Sequence, residues 1–214
     1  MSRFHTTLWS RLHAAAEGGA TAFDELSLRY RAPLIGFLRG RGVPEDRAED
    51  VVQEVFLRLL GRDLLRRADA ERGRFRSYLL GITLNLASEL RRREQAEKRG
   101  GGLERVPLEA TADPAAEADF AALWLQELVR RSLEVVHAAY PGQHQLLALA
   151  AEGLGPGEIA ERTGRSAGAV RVALHKARKR LAEALRAEVA RYCSSEEEFA
   201  EEMRTFEPFL GTPG

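Results

Sequence analysis

The stretch from Glu158 to Arg180, EIAERTGRSAGAVRVALHKARKR, constrains the fold more than any other part of this 214-residue chain. Ile159 and Ala160 set an apolar residue beside a small one, so one helix can approach a second closely. Gly164 permits a sharp turn, because glycine tolerates backbone angles that other residues avoid. Ser166 offers the kind of hydroxyl that caps a helix N-terminus. Val170, Leu174, Ala177 and Leu181 then recur at helical spacing and form one buried stripe. The remaining faces carry Arg171, His175, Lys176, Arg178, Lys179 and Arg180. The pattern predicts a helix-turn-helix whose second helix fits a DNA major groove and its flanking phosphates.

The formal net charge is zero, which argues at first against a nucleic-acid partner. The distribution of charge reverses that. From Arg165 to Arg186 seven Lys or Arg face Glu183 alone, a local balance of +6. From Cys193 to Gly214 six Glu face Arg204 alone, a balance of −5. Neutrality therefore hides a basic module followed by an acidic tail.

Several function classes are disfavoured. Cys193 is the single cysteine, so neither an intrachain disulfide nor a thiolate zinc site can form. The histidines at 5, 13, 137, 144 and 175 show no metal-site spacing, although His137 and His144 flank Pro141 and can lie near each other. No glycine-rich phosphate loop lies between a strand and a helix, and no serine sits in a nucleophile-elbow context. An enzyme is not expected, and neither a metal nor another cofactor. Arg3 is followed by no apolar leader, and no run reaches the length of a membrane span. These features point to a cytoplasmic protein without membrane insertion.

Almost every periodic segment is helical, so the expected class is all-α. A short helix is expected over Thr6 to Ala16. Phe23, Leu26, Tyr30, Leu34, Phe37 and Leu38 form a second stripe, interrupted by Pro33, which implies a kink or two abutting helices. Gly40, Gly42 and Pro44 end it. Asp46 can cap the next helix, where Ala48, Val51, Val52, Val55, Phe56, Leu59 and Leu60 line one face. A polar segment, 61–73, precedes a helix marked by Phe75, Leu79, Ile82, Leu86 and Leu90 and ending in Arg91, Arg92 and Arg93. The stretch 95–115, with Gly100-Gly101-Gly102, Pro107 and Pro114, reads as a linker. Phe120, Leu123, Trp124, Leu128 and Val135 are expected to face inward on the helix after it, and Pro141 to start a shorter one. The division this implies is a helical domain over 1–97, a flexible linker over 98–115, a helix-turn-helix domain over 116–192 and an acidic extension over 193–214.

Two runs, YRAPLIGFLRGRGVPEDRAEDVVQEVFLRLL from Tyr30 and GRFRSYLLGITLNLASELRRR from Gly73, resemble region 2 of bacterial sigma-70-type factors. The run LLALAAEGLGPGEIAERTGRSAGAVRVALHKARKRL resembles their region 4. With these two regions in order and a short linker between them, the chain is similar to the extracytoplasmic-function (ECF) group over about residues 20–190. Two independent motifs in sequence order are far more specific than either alone. The resemblance implies two helical DNA-binding domains that dock on core RNA polymerase, direct it to promoter DNA and help open the duplex. An anti-sigma factor or another regulator is a further candidate partner.

The resemblance also assigns residues. The segment DRAEDVVQE matches the surface that grips the polymerase clamp helices, which brings Asp50, Gln53 and Glu54 across; carboxylates and an amide on a rigid helix suit a basic partner. Handling the minus-ten element needs a captured base and a strand held by charge and stacking. Arg72, Arg74, Arg76, Tyr78, Asn85 and Arg92 are the groups for that, with Asn85 suited to a base edge and arginines to phosphates. Phe75 is expected in the core rather than as a stacking platform. For the minus-35 element, Ser166, Ala169, Arg171 and Val172 are the candidates for base edges, His175 and Arg178 continue along the Arg171 side, and Lys176, Lys179 and Arg180 suit phosphates. Val172-Ala173 replaces a polar pair common in the family, so contact with a thymine methyl can stand in for a hydrogen bond. Gly155-Pro156-Gly157 replaces the commoner serine cap of the first helix of the pair.

The main alternative is a stand-alone helix-turn-helix regulator, which explains the C-terminal half equally well. It leaves Asp50 to Glu54 and the aromatic-arginine segment around Phe75 without a purpose. A protein-binding scaffold would need no seven-cation module. In the tail, Phe199, Met203, Phe206 and Phe209 among glutamates predict docking, either on the chain's own second domain, restraining the basic helix electrostatically, or on a regulator. The competing reading is a helix that simply completes the domain.

Overall fold

The computed structural model describes residues 20–60, 75–97, 114–191, 193 and 195–210. Among these, all regular structure is helical, which establishes the all-α class. The helices are α1 (Ala20–Gly40), α2 (Glu45–Leu60), α3 (Phe75–Glu97), α4 (Pro114–Ala139), α5 (Pro141–Ala151), α6 (Pro156–Thr163), α7 (Ala167–Ala190) and α8 (Glu196–Leu210). The expected helix over Thr6 to Ala16 and the polar segment 61–73 lie outside the described residues. So does most of the expected linker.

The chain divides into two compact units whose described residues fall within 20–127 and 128–210. In the first, α1 packs on α2 and α2 on α3. Tyr30, Leu34, Val52, Val55, Leu59, Leu79 and Leu86 are all buried between them. Phe75 is in this core, edge-on to Tyr30 with ring centroids 5.7 Å apart, as its spacing with Leu79 predicts. α1 runs through Pro33 as one helix, so the alternative of two abutting helices is not adopted. It ends through the glycines: Gly42 takes a φ of 81°, and the Val43 N–H returns to the Leu38 carbonyl at 3.1 Å. That conformation strains any side chain, which is why a glycine stands there.

Asp46 does not cap α2. The Pro44 carbonyl accepts the first intrahelical bond, from Ala48 N–H at 2.8 Å, so Glu45 and Asp46 already lie in the first turn. There their charge complements the helix dipole instead.

On α4 a buried stripe falls at every fourth position, Ala116, Phe120, Trp124, Leu128, Ser132 and Val136, with Leu125 and Glu127 buried beside it. A step of four residues advances about 40° beyond a full turn, so the stripe winds gradually around the helix. Val135 falls outside it and is 58 % exposed, contrary to the inward position expected from the sequence, and Val136 is buried in its place. Ser132 fits the stripe because its hydroxyl donates to the Leu128 carbonyl at 2.7 Å. The boundary between the units falls within this helix. Phe120 and Trp124, expected in the second unit, pack in the first. Phe120 meets Phe37 edge-on at 5.8 Å, the Arg76 guanidinium lies 4.9 Å over Trp124, and Arg41 pairs with Asp119 at 3.4 Å.

In the second unit α5, α6 and α7 pack on one another and α8 packs on α7. Leu146, Ile159, Ala160, Val170 and Leu174 form one cluster, and Val136, Leu147 and Ala177 another that Leu181 partly covers. Burying such a leucine contributes roughly 1.5–3 kcal/mol. The first cluster packs α6 against α7, and the second joins α7 to α4 and α5.

Candidate functional site

The α6–α7 corner is built as its residues dictate. Glu158 accepts the Gly155 N–H at 2.7 Å, the back-reaching half of a capping box, while glycine has no hydroxyl to supply the other half. Gly164 ends α6 with a φ of 67°. Ser166 then caps α7, its Oγ accepting the Ala169 N–H at 3.2 Å. A hydroxyl engaged this way is first a structural group, although its proton remains free to donate.

One side of α7 is buried along Val170, Leu174 and Ala177. The opposite side is exposed from Gly168 to Lys179 and carries Ala169, Arg171, Val172, His175, Lys176, Arg178 and Lys179. At about 100° per residue, Gly168, Val172, His175 and Lys179 form its centre. Arg171 and Arg178 lie on one flank, Ala169 and Lys176 on the other. Among the described residues, Arg171, Lys176, Arg178 and Lys179 have no carboxylate partner. The first turn of α7 contains no acidic residue either. Unpaired cations along one exposed ridge, at a helix N-terminus free of carboxylates, make a surface for a polyanion. Arg180 differs: its guanidinium stacks 3.5 Å over Tyr140 at the α4–α5 corner, which gives it a structural role.

α8 packs against α7 in the chain's own second unit, which fits both the docking expected of the tail and a helix that completes the domain. Leu185 and Val189 of α7 and Cys193 are buried near its start. Among the described residues, the cations at 171–179 have no carboxylate partner on α8.

α2 presents a second surface. Its buried residues share one side, and Asp50, Gln53, Glu54 and Leu57 form the ridge opposite. The carboxylates are held: Asp50 lies 3.8 Å from Arg47, and Glu54 accepts the Arg58 Nε at 2.7 Å. Arg58 also reaches Glu89 on α3 at 3.3 Å, and Glu89 pairs with Arg93. Desolvation by burial pulls the Arg58 pKa down, but the hydrogen bonds and charges of Glu54 and Glu89 together outweigh it and raise the value. Gln53 is exposed. Leu57, 53 % exposed, extends the ridge by an apolar group not anticipated from the sequence. Its signal was present: it is a large apolar residue off the helix's own apolar stripe.

On α3, Tyr78, Asn85 and Arg92 recur every seven residues and so share one face, about 10.5 Å apart along the axis. Tyr78 lies 6.4 Å from Phe75, which fixes its ring, and Arg92 is exposed with its Nε donating to the Ser88 carbonyl at 3.3 Å. Arg76 is on the opposite side, over Trp124, and does not join them. Arg72 and Arg74 lie outside the described residues.

An all-helical chain with a helix-turn-helix bearing an unpaired cationic face belongs to the class of DNA-binding transcription proteins. A family model described as "ECF sigma factor" matches residues 14–187, most of the chain, and the protein belongs to that family. No curated protein matches the sequence significantly. Members of this family are non-catalytic factors of transcription initiation, whose partners are core RNA polymerase, promoter DNA and anti-sigma factors. No described helix is long and apolar enough to cross a membrane.

Proposed function

We propose that this chain binds core RNA polymerase through the α2 ridge, holds the minus-ten strand on the Tyr78–Asn85–Arg92 face of α3, and lays α7 in the major groove of the minus-35 element. On this reading it works in the cytoplasm, where polymerase and promoter meet. The observation that carries it is the contrast in charge between two exposed surfaces on separate helices, an anion-and-amide ridge on α2 and, among the described residues, an unpaired cationic ridge on α7. Asp50 and Glu54 are pre-oriented by arginines, so they meet a basic helix without first losing side-chain freedom. On α3, Tyr78 supplies a ring for an unstacked base, Asn85 a donor and acceptor for a base edge, and Arg92 a charge for phosphate. On α7, Lys176, Arg178 and Lys179 hold the backbone, while Ala169, Arg171, Val172 and His175 lie toward the groove floor, with Ser166 at the helix entry.

The test is capture by purified bacterial core polymerase together with run-off transcription, comparing the native chain with Asp50→Ala/Gln53→Ala/Glu54→Ala. The expected result is core binding and promoter-specific transcripts, both lost in a folded triple variant. A native chain that ignores core polymerase while binding duplex DNA would instead be a stand-alone regulator.

A further inference from the structure

We infer that Val172 is a specificity residue that reads the C5-methyl group of a thymine, so the minus-35 element of this factor contains a thymine selected by its methyl. The inference rests on the placement of α7 in the minus-35 groove proposed above and adds what that helix reads there.

Val172 is 57 % exposed at the centre of the face opposite the buried stripe of α7. The residues one turn away on that face are Gly168, Ala169, His175 and Lys176. None is a large apolar group, so no hydrophobic cluster of the protein claims the isopropyl side chain. A Cβ added at Gly168 would meet nothing within 4 Å, and Ala169 is exposed and short. The first turn of the helix therefore offers open space where longer side chains would hold the groove floor away. Ser166 accepts the cap bond and keeps only its proton to give, so hydrogen bonding to bases falls mainly to the flank at Arg171 and to His175.

A branched hydrocarbon at the centre of a cationic groove-facing ridge has one matching feature among the base-pair edges. Guanine, adenine and cytosine present hydrogen-bonding groups to the major groove; thymine adds a methyl group. A polar edge set against Val172 would lose water without gaining a partner, which is unfavourable. The side chain thus selects for a methyl and also against the other bases.

The experiment uses holoenzyme reconstituted from the full chain and core polymerase. A minus-35 sequence is first selected from a randomised duplex library. Each thymine in it is then replaced by deoxyuridine, which removes the methyl and preserves every hydrogen bond. Burying one such group corresponds to about a fourfold change in affinity. The expected result is a loss of that size at one position, with the others near unity. Val172→Ala, an exposed change checked for native helicity, is expected to bind the thymine duplex about as weakly as the native chain binds the deoxyuridine duplex, and to ignore the substitution. A flat deoxyuridine scan, or equal sensitivity in Val172→Ala, overturns the inference while leaving promoter-directed initiation intact. Failure of the chain to bind core polymerase or to select any sequence overturns both.

Discussion

The exposed ridges of α2 and α7 treat charge in opposite ways. On α2 both carboxylates of the ridge have an arginine within 4 Å, and one of those arginines extends to a further carboxylate on α3. On α7 the four cations at 171, 176, 178 and 179 have no such partner among the described residues. A paired ridge keeps its geometry, carries a reduced field and depends little on salt, which suits a folded protein surface of fixed shape. An unpaired ridge is penalised by its own repulsion in the free protein. It is relieved only when phosphates take the place of the missing carboxylates, and the counterions they release make that binding steeply salt-dependent. Each surface thus carries the signature of its proposed partner before that partner arrives.

The largest expected effect tests the unpaired ridge. Lys176→Ala/Lys179→Ala should weaken duplex binding tenfold or more at low salt. It should also flatten the slope of log affinity against log salt by about two, one for each phosphate left without its cation. Core binding should not change. Arg180→Ala is the control: it should leave the slope intact and lower stability by about 0.5–1 kcal/mol, the usual worth of an exposed cation–π interaction. Equal slopes in the two variants would show that pairing state does not distinguish phosphate-binding cations from structural ones.

A smaller effect tests the paired ridge. Arg58→Ala releases Glu54 and removes one link between α2 and α3. With Glu54 41 % exposed, solvent screening holds the loss of stability to about 1 kcal/mol or less. Core affinity should fall by a few fold, because Glu54 must then be ordered on binding, while the salt slope for duplex DNA stays as it was. Thermal unfolding and core titration of the same variant separate the two consequences. Unchanged core affinity would mean that Arg58 serves the fold alone.

Much of this contrast is legible in the sequence. Apolar spacing reveals the buried sides of α2, α3 and α7, because a helix puts every third and fourth residue on one side whatever its surroundings. The α6–α7 corner is legible for a related reason: Gly164 and Ser166 act through their own backbone, and local geometry is written locally. What cannot be read depends on residues far apart in the chain. Arg76 reads as one more cation of the aromatic-arginine segment, yet it lies over Trp124, 48 positions on. Arg180 reads as a phosphate ligand and instead stacks on Tyr140. Phe120 and Trp124 carry the periodicity of α4 but no indication of which unit receives them. Val135 is one residue away from the buried position, because the stripe on α4 advances by fours and winds out of the usual register of alternating threes and fours.

The smallest expected effect concerns what α7 lacks at its first turn. α8 also begins at a serine, Ser195, whose carbonyl accepts the Phe199 N–H at 3.1 Å, but Glu196, Glu197 and Glu198 follow it. Glu197 is held below the usual carboxylate range, first by a hydrogen bond from its own backbone N–H and then by one from the Ser195 hydroxyl. A carboxyl group lowered on folding stabilises the helix above its unfolded value, about 4.3. That contribution disappears as the pH falls through the lower, folded value. Glu197→Gln should therefore reduce thermal stability slightly at neutral pH, and the two melting curves should converge as the solution is acidified. A constant difference across that range would assign the effect to packing and not to charge. α7 forgoes this device and relies on the neutral Ser166, at a cost in its own stability. An acidic first turn there would stand where the proposed reading brings a phosphate, and its absence is as much a part of the proposed DNA-binding surface as the cations are.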